Sequence, residues 1–224
     1  VTRVPYVVGV SGASGTPYAR AVLNALLDAG HPVDLVVSRA ARLTLLDETG
    51  ITWHDTAADR ATWLGRDGSH GSGGDDDVRH WGPGDLAAGP SSGSYRTRGM
   101  VVVPASTAAV AGIANGLSKD LLQRAADVTL KERRRLVVVP RETPLNRGQL
   151  VAMLALHDAG AVVLPASPAF YAGPTEIGQL VDFVAGRVLD ALGVEHDLYR
   201  RWTGDLGAAR RGTDPESGVP TGPV

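Results

Sequence analysis

The feature that most constrains this chain is a set of short, unbroken apolar runs, rich in valine, at residues 7–10, 35–37, 100–103 and 136–139, with a fifth at 161–164. None alternates polar with apolar. A strand with one face in water alternates and a strand covered on both faces does not, so these runs predict a parallel sheet sandwiched between helices. The intervening segments carry helical signals. Thr16-Pro17 predicts an N-cap followed by proline at the first helical position, and the helix that follows, over 19–29, ends at Gly30. Between Thr175 and Gly193, the residues Ile177, Leu180, Val181, Val184, Val188 and Leu192 keep the 3.6-residue period. Strand–helix alternation of this kind predicts an α/β fold, a doubly wound parallel sheet in three αβα layers.

At 224 residues the chain suffices for one such domain, placed here at 1–206. Two segments break the pattern. Residues 65–99 are rich in Gly, Asp and Ser, include Asp75-Asp76-Asp77, and predict an irregular, partly mobile surface insertion. Residues 207–224, dense in Gly and Pro, predict a disordered tail. The N-terminus reads as a first strand rather than a targeting segment. No run approaches the ~20 apolar residues of a membrane span, so a cytoplasmic protein is expected.

The chemistry is narrowed by what is missing. There is no cysteine, which closes off thiolate nucleophiles, disulfides and sulfur-bound zinc. A net charge of -2 argues against a chain-wide field for nucleic acid, so any anion site must be local. The six histidines show no ligand spacing; His70 and His80 flank the Asp75-Asp76-Asp77 run, but no metal site is assigned.

In open α/β sheets ligands bind beyond the carboxyl ends of the strands. Three of the predicted strands stop at a proline followed by polar groups: Pro104-Ala105-Ser106-Thr107, Pro140-Arg141-Glu142-Thr143 and Pro165-Ala166-Ser167. The turn Gly9-Val10-Ser11-Gly12-Ala13-Ser14-Gly15 offers backbone N–H groups at a helix start, yet it is neither the G-x-G-x-x-G dinucleotide pattern nor a P-loop. Arg141 and Glu142 directly follow a buried strand and need partners; a dianionic phosphate on Arg141 would leave Glu142 free for proton transfer, and an Arg–Glu pair capping the next helix is the competing reading. Lys131 is one of only two lysines in a chain that otherwise uses arginine. Arg133, Arg134 and Arg135 read as a solvated helix end.

Four motifs then carry a family resemblance: Gly-Ala-Ser-Gly at 12–15, Arg-Ala-Ala-Asp-Val-Thr-Leu-Lys-Glu-Arg-Arg at 124–134, Val-Pro-Arg-Glu-Thr-Pro-Leu at 139–145 and Pro-Ala-Phe-Tyr at 168–171. Over residues 4–50 and about 91–203 the chain resembles the UbiX-type flavin prenyltransferases. The resemblance implies a flavodoxin-like (Rossmann-like) fold, a homododecamer with sites where subunits meet, and metal-independent transfer of a dimethylallyl group from dimethylallyl phosphate to reduced FMN. The product, prenylated FMN, would serve a UbiD-type decarboxylase. By motif position, Gly12, Ala13, Ser14, Ser38, Ser106, Thr107, Ala108, Ala109 and Arg124 would contact FMN. Ser92, Lys131, Arg141, Tyr171 and Arg187 would hold the prenyl phosphate, with Ser94 completing a Ser-Gly-Ser element. Ser14, Glu48, Lys131 and Glu142 would be the catalytic set, the two glutamates as acid–base carboxylates. The chain departs from the family at Ala105 and Ala109, where cysteine and threonine are usual.

Two other readings are kept. An FMN-dependent decarboxylase of cysteine derivatives shares the fold but carries a histidine and a P-x-M-N segment not visible here. A non-catalytic flavin carrier would need the glycine turn but not the cluster of Lys131, Arg141 and Arg187.

Overall fold

The computed structural model describes residues 3–66, 77–202 and 204. Six parallel strands form one sheet: β1 (Tyr6–Val10), β2 (Val33–Val37), β3 (Val78–Trp81), β4 (Gly99–Ala105), β5 (Arg135–Pro140) and β6 (Val162–Val163), in the order β3-β2-β1-β4-β5-β6. The helices are α1 (Thr16–Asp28), α2 (Arg39–Thr49), α3 (Ala57–Leu64), α4 (Thr107–Ala114), α5 (Leu121–Lys131), α6 (Arg147–Asp158) and α7 (Ile177–Leu192).

The unbroken valine runs are explained by where alternate side chains go. Val8, Val101, Val103, Val137 and Val139 pack with α1, α2, α3 and α7 on one face. Val7, Met100, Val102, Leu136 and Val138 pack with α4, α5 and α6 on the other. A period-2 strand buried on both sides therefore reads as continuous apolar sequence. This is the expected three-layer fold.

The predicted insertion at 65–99 needs correction. Residues 78–81 form β3, which pairs with β2 and extends the sheet by an edge strand. The next segment is docked by a buried carboxylate: Asp34 of β2, 2% exposed, accepts hydrogen bonds from Trp81 Nε1 and Tyr95 Oη, each at 2.9 Å. Burial pushes the Asp34 carboxyl above its usual range despite those donors, and burial beside Asp34 pushes the Tyr95 phenol up to about 12. Arg134 adds bonds to the carbonyl oxygens of Tyr95 (2.7 Å) and Gly93 (2.6 Å). His70, Asp75 and Asp76, and the predicted tail at 207–224, lie outside the described residues.

The helix start at Thr16 also differs from expectation. Gly15, at φ 118°, is the N-cap, and Thr16 is the first helical residue. Its hydroxyl is used elsewhere, as described below. No described helix is long and apolar enough to cross a membrane.

Candidate active site

Helices after β1 and β2 cover one face and those after β4 and β5 the other, so the chain changes sides between β1 and β4. Ligand crevices of this fold open at such a point. The two strand tips are stitched there by Ser11, 3% exposed, whose hydroxyl donates to the Pro104 carbonyl (2.8 Å) and accepts from Ser106 N (2.6 Å).

Above this stitch lies a cavity of about 440 Å³, within the ~300–1,000 Å³ range of cofactor sites. The expected residues Gly12, Ser38, Ser106, Ala108 and Ala109 line it. Ser38 caps α2 by accepting from Ala41 N (3.1 Å), and Ser106 caps α4 by accepting from Ala109 N (3.3 Å). Each hydroxyl keeps its own proton for donation to a ligand. Ala13 is buried behind the turn, and Thr107 opens α4 beside Ser106. Arg39, Pro83, Gly84, Lys119, Asp120 and Gln123 also line the cavity and were not anticipated. Lys119 is the chain's other lysine, which was the available signal; Pro83 and Gly84 follow β3, the strand that was missed.

Beside the Gly12 turn that lines this cavity, the structure brings Ser14 and Glu48 of the expected catalytic set together with Arg141 of the expected donor site. Glu48, near the end of α2, accepts from Gly15 N (2.8 Å), Thr16 N (2.8 Å) and Thr16 Oγ1 (2.6 Å). Burial pushes its carboxyl up, but hydrogen bonds from Ser14, Thr16 and the two amides outweigh burial and hold its pKa low. Arg141 Nε donates to the Ser14 carbonyl (2.9 Å), tying the tip of β5 to the turn after β1. Glu142 is exposed and accepts from its neighbour's amide, Thr143 N (3.0 Å). An Arg–Glu cap on the following helix is not formed: Asn146 caps α6.

Other expected residues lie elsewhere. Lys131 ends α5 and pairs with Glu132 (2.5 Å); it faces Gly93, between Ser92 and Ser94, whose hydroxyls are 3.0 Å apart. This cluster sits where β4 and β5 begin, at the opposite edge of the sheet from Ser106 and Arg141. The seven residues of β4 separate the two edges by roughly 20 Å at ~3.3 Å each. Arg124, partway along α5, donates to the Ser91 carbonyl (3.1 Å) and pairs with Asp127 (2.7 Å).

Tyr171 and Arg187 belong to a third group. Tyr171 packs edge-on against Phe183 (6.0 Å) and Trp202 (5.7 Å). Arg187 donates to Asp190 (3.0 Å), which also accepts from Tyr199 (2.6 Å) and Arg201 (2.8 Å) and lies 3.1 Å from His196 Nε2. Burial opposes ionisation of Asp190, but hydrogen bonds from Arg201, Tyr199 and His196 hold its carboxyl far below the usual range. The folded pKa is thus below the unfolded one. Its stabilisation is complete above the unfolded carboxylate pKa of ~3.9 and is lost as pH falls toward the folded value. Glu48 has the same sign. We expect the melting temperature of Asp190→Asn to fall less steeply than wild type between about pH 5 and pH 3; parallel profiles in a thermal scan would contradict this.

Comparison with known proteins agrees with this architecture. The Flavoprotein family model matches residues 2–189. The flavin prenyltransferase UbiX of Streptomyces coelicolor is 69% identical over 214 residues, covering 92% of this chain and 99% of that protein. Among solved structures, AnUbiX (PadA1), in complex with FMN and dimethylallyl pyrophosphate, superposes with a TM-score of 0.79 at 39% identity, covering 91% of this chain and 100% of the other. A dodecameric FMN-dependent UbiX-like decarboxylase from Escherichia coli O157:H7 does so at 0.77 and 41%, covering 89% and 100%. Fold, strand-tip motifs and relatives converge: the chain belongs to the Flavoprotein family and, within it, to the UbiX-type flavin prenyltransferases.

Proposed function

We infer that the chain transfers a dimethylallyl group from dimethylallyl phosphate to N5 and C6 of reduced FMN, yielding prenylated FMN. The observation that carries the reading is the meeting of Ser14, Glu48 and Arg141 beside a hydroxyl-lined cavity at the β1–β4 crossover. The residues fit a flavin: the cavity has cofactor size, offers the hydroxyls of Ser38 and Ser106, and presents the backbone of the Gly12 turn.

Reduced FMN, when bound, supplies the nucleophilic N5 and C6 positions. The chain's own residues bind the donor and move protons. Arg141 spends Nε on Ser14, which leaves its remaining N–H groups for the departing phosphate. A fixed positive charge there stabilises the anion that builds as the carbon–oxygen bond breaks, typically worth ~10²–10³ in rate. Glu48 works as an ionised anchor that fixes Ser14 and the turn. Glu142, exposed and with one carboxylate oxygen unengaged among the described residues, accepts the proton released on bond formation. The aromatic group of Tyr171, Phe183 and Trp202 offers apolar cover for the prenyl chain.

Lys131 and Ser92 complete the phosphate site from a neighbouring protomer, since roughly 20 Å separates their edge from Arg141 within one chain. Assembly into a dodecamer, as in the Escherichia coli relative, is part of this reading. Leu150, Val151 and Leu154 of α6 are exposed and offer apolar surface for a protomer to cover. The protein acts in the cytoplasm and passes its product to a UbiD-type decarboxylase.

Reconstitution tests the reading against both alternatives. Incubated with reduced FMN and dimethylallyl phosphate, the chain is expected to activate a cofactor-free UbiD-type decarboxylase, and to fail when the prenyl donor is omitted. A flavin carrier would give the same result with or without the donor. A cysteine-derivative decarboxylase would give no activation.

A further inference from the structure

One carboxylate on α7 gathers the segment that follows the helix. Asp190 Oδ2 accepts from Arg187 Nη1 (3.0 Å) and Tyr199 Oη (2.6 Å), while Oδ1 accepts from Arg201 Nη2 (2.8 Å) and lies 3.1 Å from His196 Nε2. Both oxygens are in use, and three of the four groups on them come from residues 196–201. A row of rings leads away from this hub: Phe183 packs on Tyr199 with centroids 4.9 Å apart, and Tyr171 packs on Phe183 at 6.0 Å. Tyr171 Oη then donates back to the same segment, at the Arg200 carbonyl (3.3 Å).

The helix is shaped to receive that segment. Gly186 lies in the interior of α7, where glycine is less favourable than alanine. A Cβ there would stand 2.5 Å from Tyr199 Cδ1 and 2.7 Å from His196 Cε1, closer than side chains approach. The missing methyl group is the seat of Tyr199 and His196, one turn before the carboxylate that holds both.

Arg187 is the side chain this arrangement fixes. It is half-exposed, and its Nη1 donates to Asp190 and to Tyr199 Oη (3.4 Å), while Nη2 and Nε have no hydrogen bond to any described residue. The open edge of the guanidinium is left for an anion. A guanidinium already held in one orientation loses less freedom when it takes up a phosphate than one that must be ordered at that moment. Asp190 carries the guanidiniums of both Arg187 and Arg201, so the group keeps a net positive charge.

We propose that Asp190 is a positioning residue for the prenyl donor, holding Arg187 in the orientation that receives the donor's phosphate. The proposal rests on the reading in which Arg187 and Tyr171 take that phosphate, and adds what holds the arginine. Gly186 serves the same end by seating Tyr199 against Arg187 and Asp190.

Rates of flavin prenylation are measured against dimethylallyl phosphate concentration for wild type, Asp190→Asn, Gly186→Ala, Arg187→Gln and the double variant Asp190→Asn/Arg187→Gln, with FMN affinity titrated in parallel. Asp190→Asn and Gly186→Ala are each expected to raise the donor KM about tenfold, with kcat within about twofold of wild type and FMN affinity unchanged. Gly186→Ala displaces the segment by crowding and leaves every charge in place, so the same KM rise in both variants separates orientation from charge. With Arg187 already replaced, Asp190→Asn is expected to change the donor KM by less than about twofold. The positioning role is overturned if Asp190→Asn leaves the donor KM unchanged while Arg187→Gln raises it, if the effect of Asp190→Asn persists in full without Arg187, or if FMN affinity falls in step with that for the donor. An unchanged donor KM in Arg187→Gln would overturn the donor reading of that arginine, and the positioning role with it.

Discussion

Protomers carrying Arg141→Gln and protomers carrying Lys131→Gln, each nearly inactive alone, are expected to recover about a quarter of wild-type turnover when dissociated, mixed in equal amounts and reassembled. Each single substitution removes one cation from the departing phosphate, for a loss of roughly 10²–10³ in turnover. Recovery follows from where the two residues sit. Arg141 is bonded to the Ser14 turn at the carboxyl edge of the sheet, and Lys131 ends α5 at the amino edge. A site drawn from two protomers regains both cations whenever an intact Arg141 meets an intact Lys131, which random mixing provides in about one site in four. A site built within one chain would stay dead in every mixture, so the activity of the mixed assembly decides between them.

Gly12→Ala should weaken FMN binding about 100-fold, because the turn has no room for a methyl group. A Cβ at residue 12 would fall inside van der Waals contact of Ala40 Cβ, with the Ala40 carbonyl carbon 3.0 Å and Cα 3.2 Å away. Overpacking of this kind costs about 1–3 kcal/mol and displaces backbone. Both displaced parts border the cavity, the Gly12 turn on one side and the start of α2, capped by Ser38, on the other. Adding Ala40→Gly removes the closest contact and should restore part of the affinity, at about 1 kcal/mol of helix stability. Flavin titration of the two single variants and the double one measures the coupling. Additive losses would show that residue 12 does not act through Ala40.

The sheet was legible because its strands are covered on both faces, which leaves short, continuous, β-branched runs that stop at Pro or at a Gly-rich turn. The strand Val78–Trp81 escaped for the converse reason. At the edge of the sheet it carries Arg79 and His80, and what docks its neighbourhood is a buried Asp34 on another strand, invisible to local pattern. Thr16-Pro17 marked the start of α1 correctly to within a residue, but the hydroxyl read as a cap serves Glu48 instead. In the site, the tips at Ser106 and Arg141 and the turn at Gly12 were readable as polar residues placed after apolar strands. Which cations would meet was not. Lys131 and Lys119 bracket the same helix, and its 11 residues, roughly 16 Å at 1.5 Å each, put one lysine at the cavity and the other at the far edge.

The flavin's own mass tests the account most directly. Reduced FMN, dimethylallyl phosphate and the protein are incubated without oxygen, and the extracted flavin is weighed by mass spectrometry. The account predicts a flavin heavier by one five-carbon prenyl unit, formed only with protein present and lost with Arg141→Gln. Recovery of unmodified FMN from the wild-type reaction would contradict it.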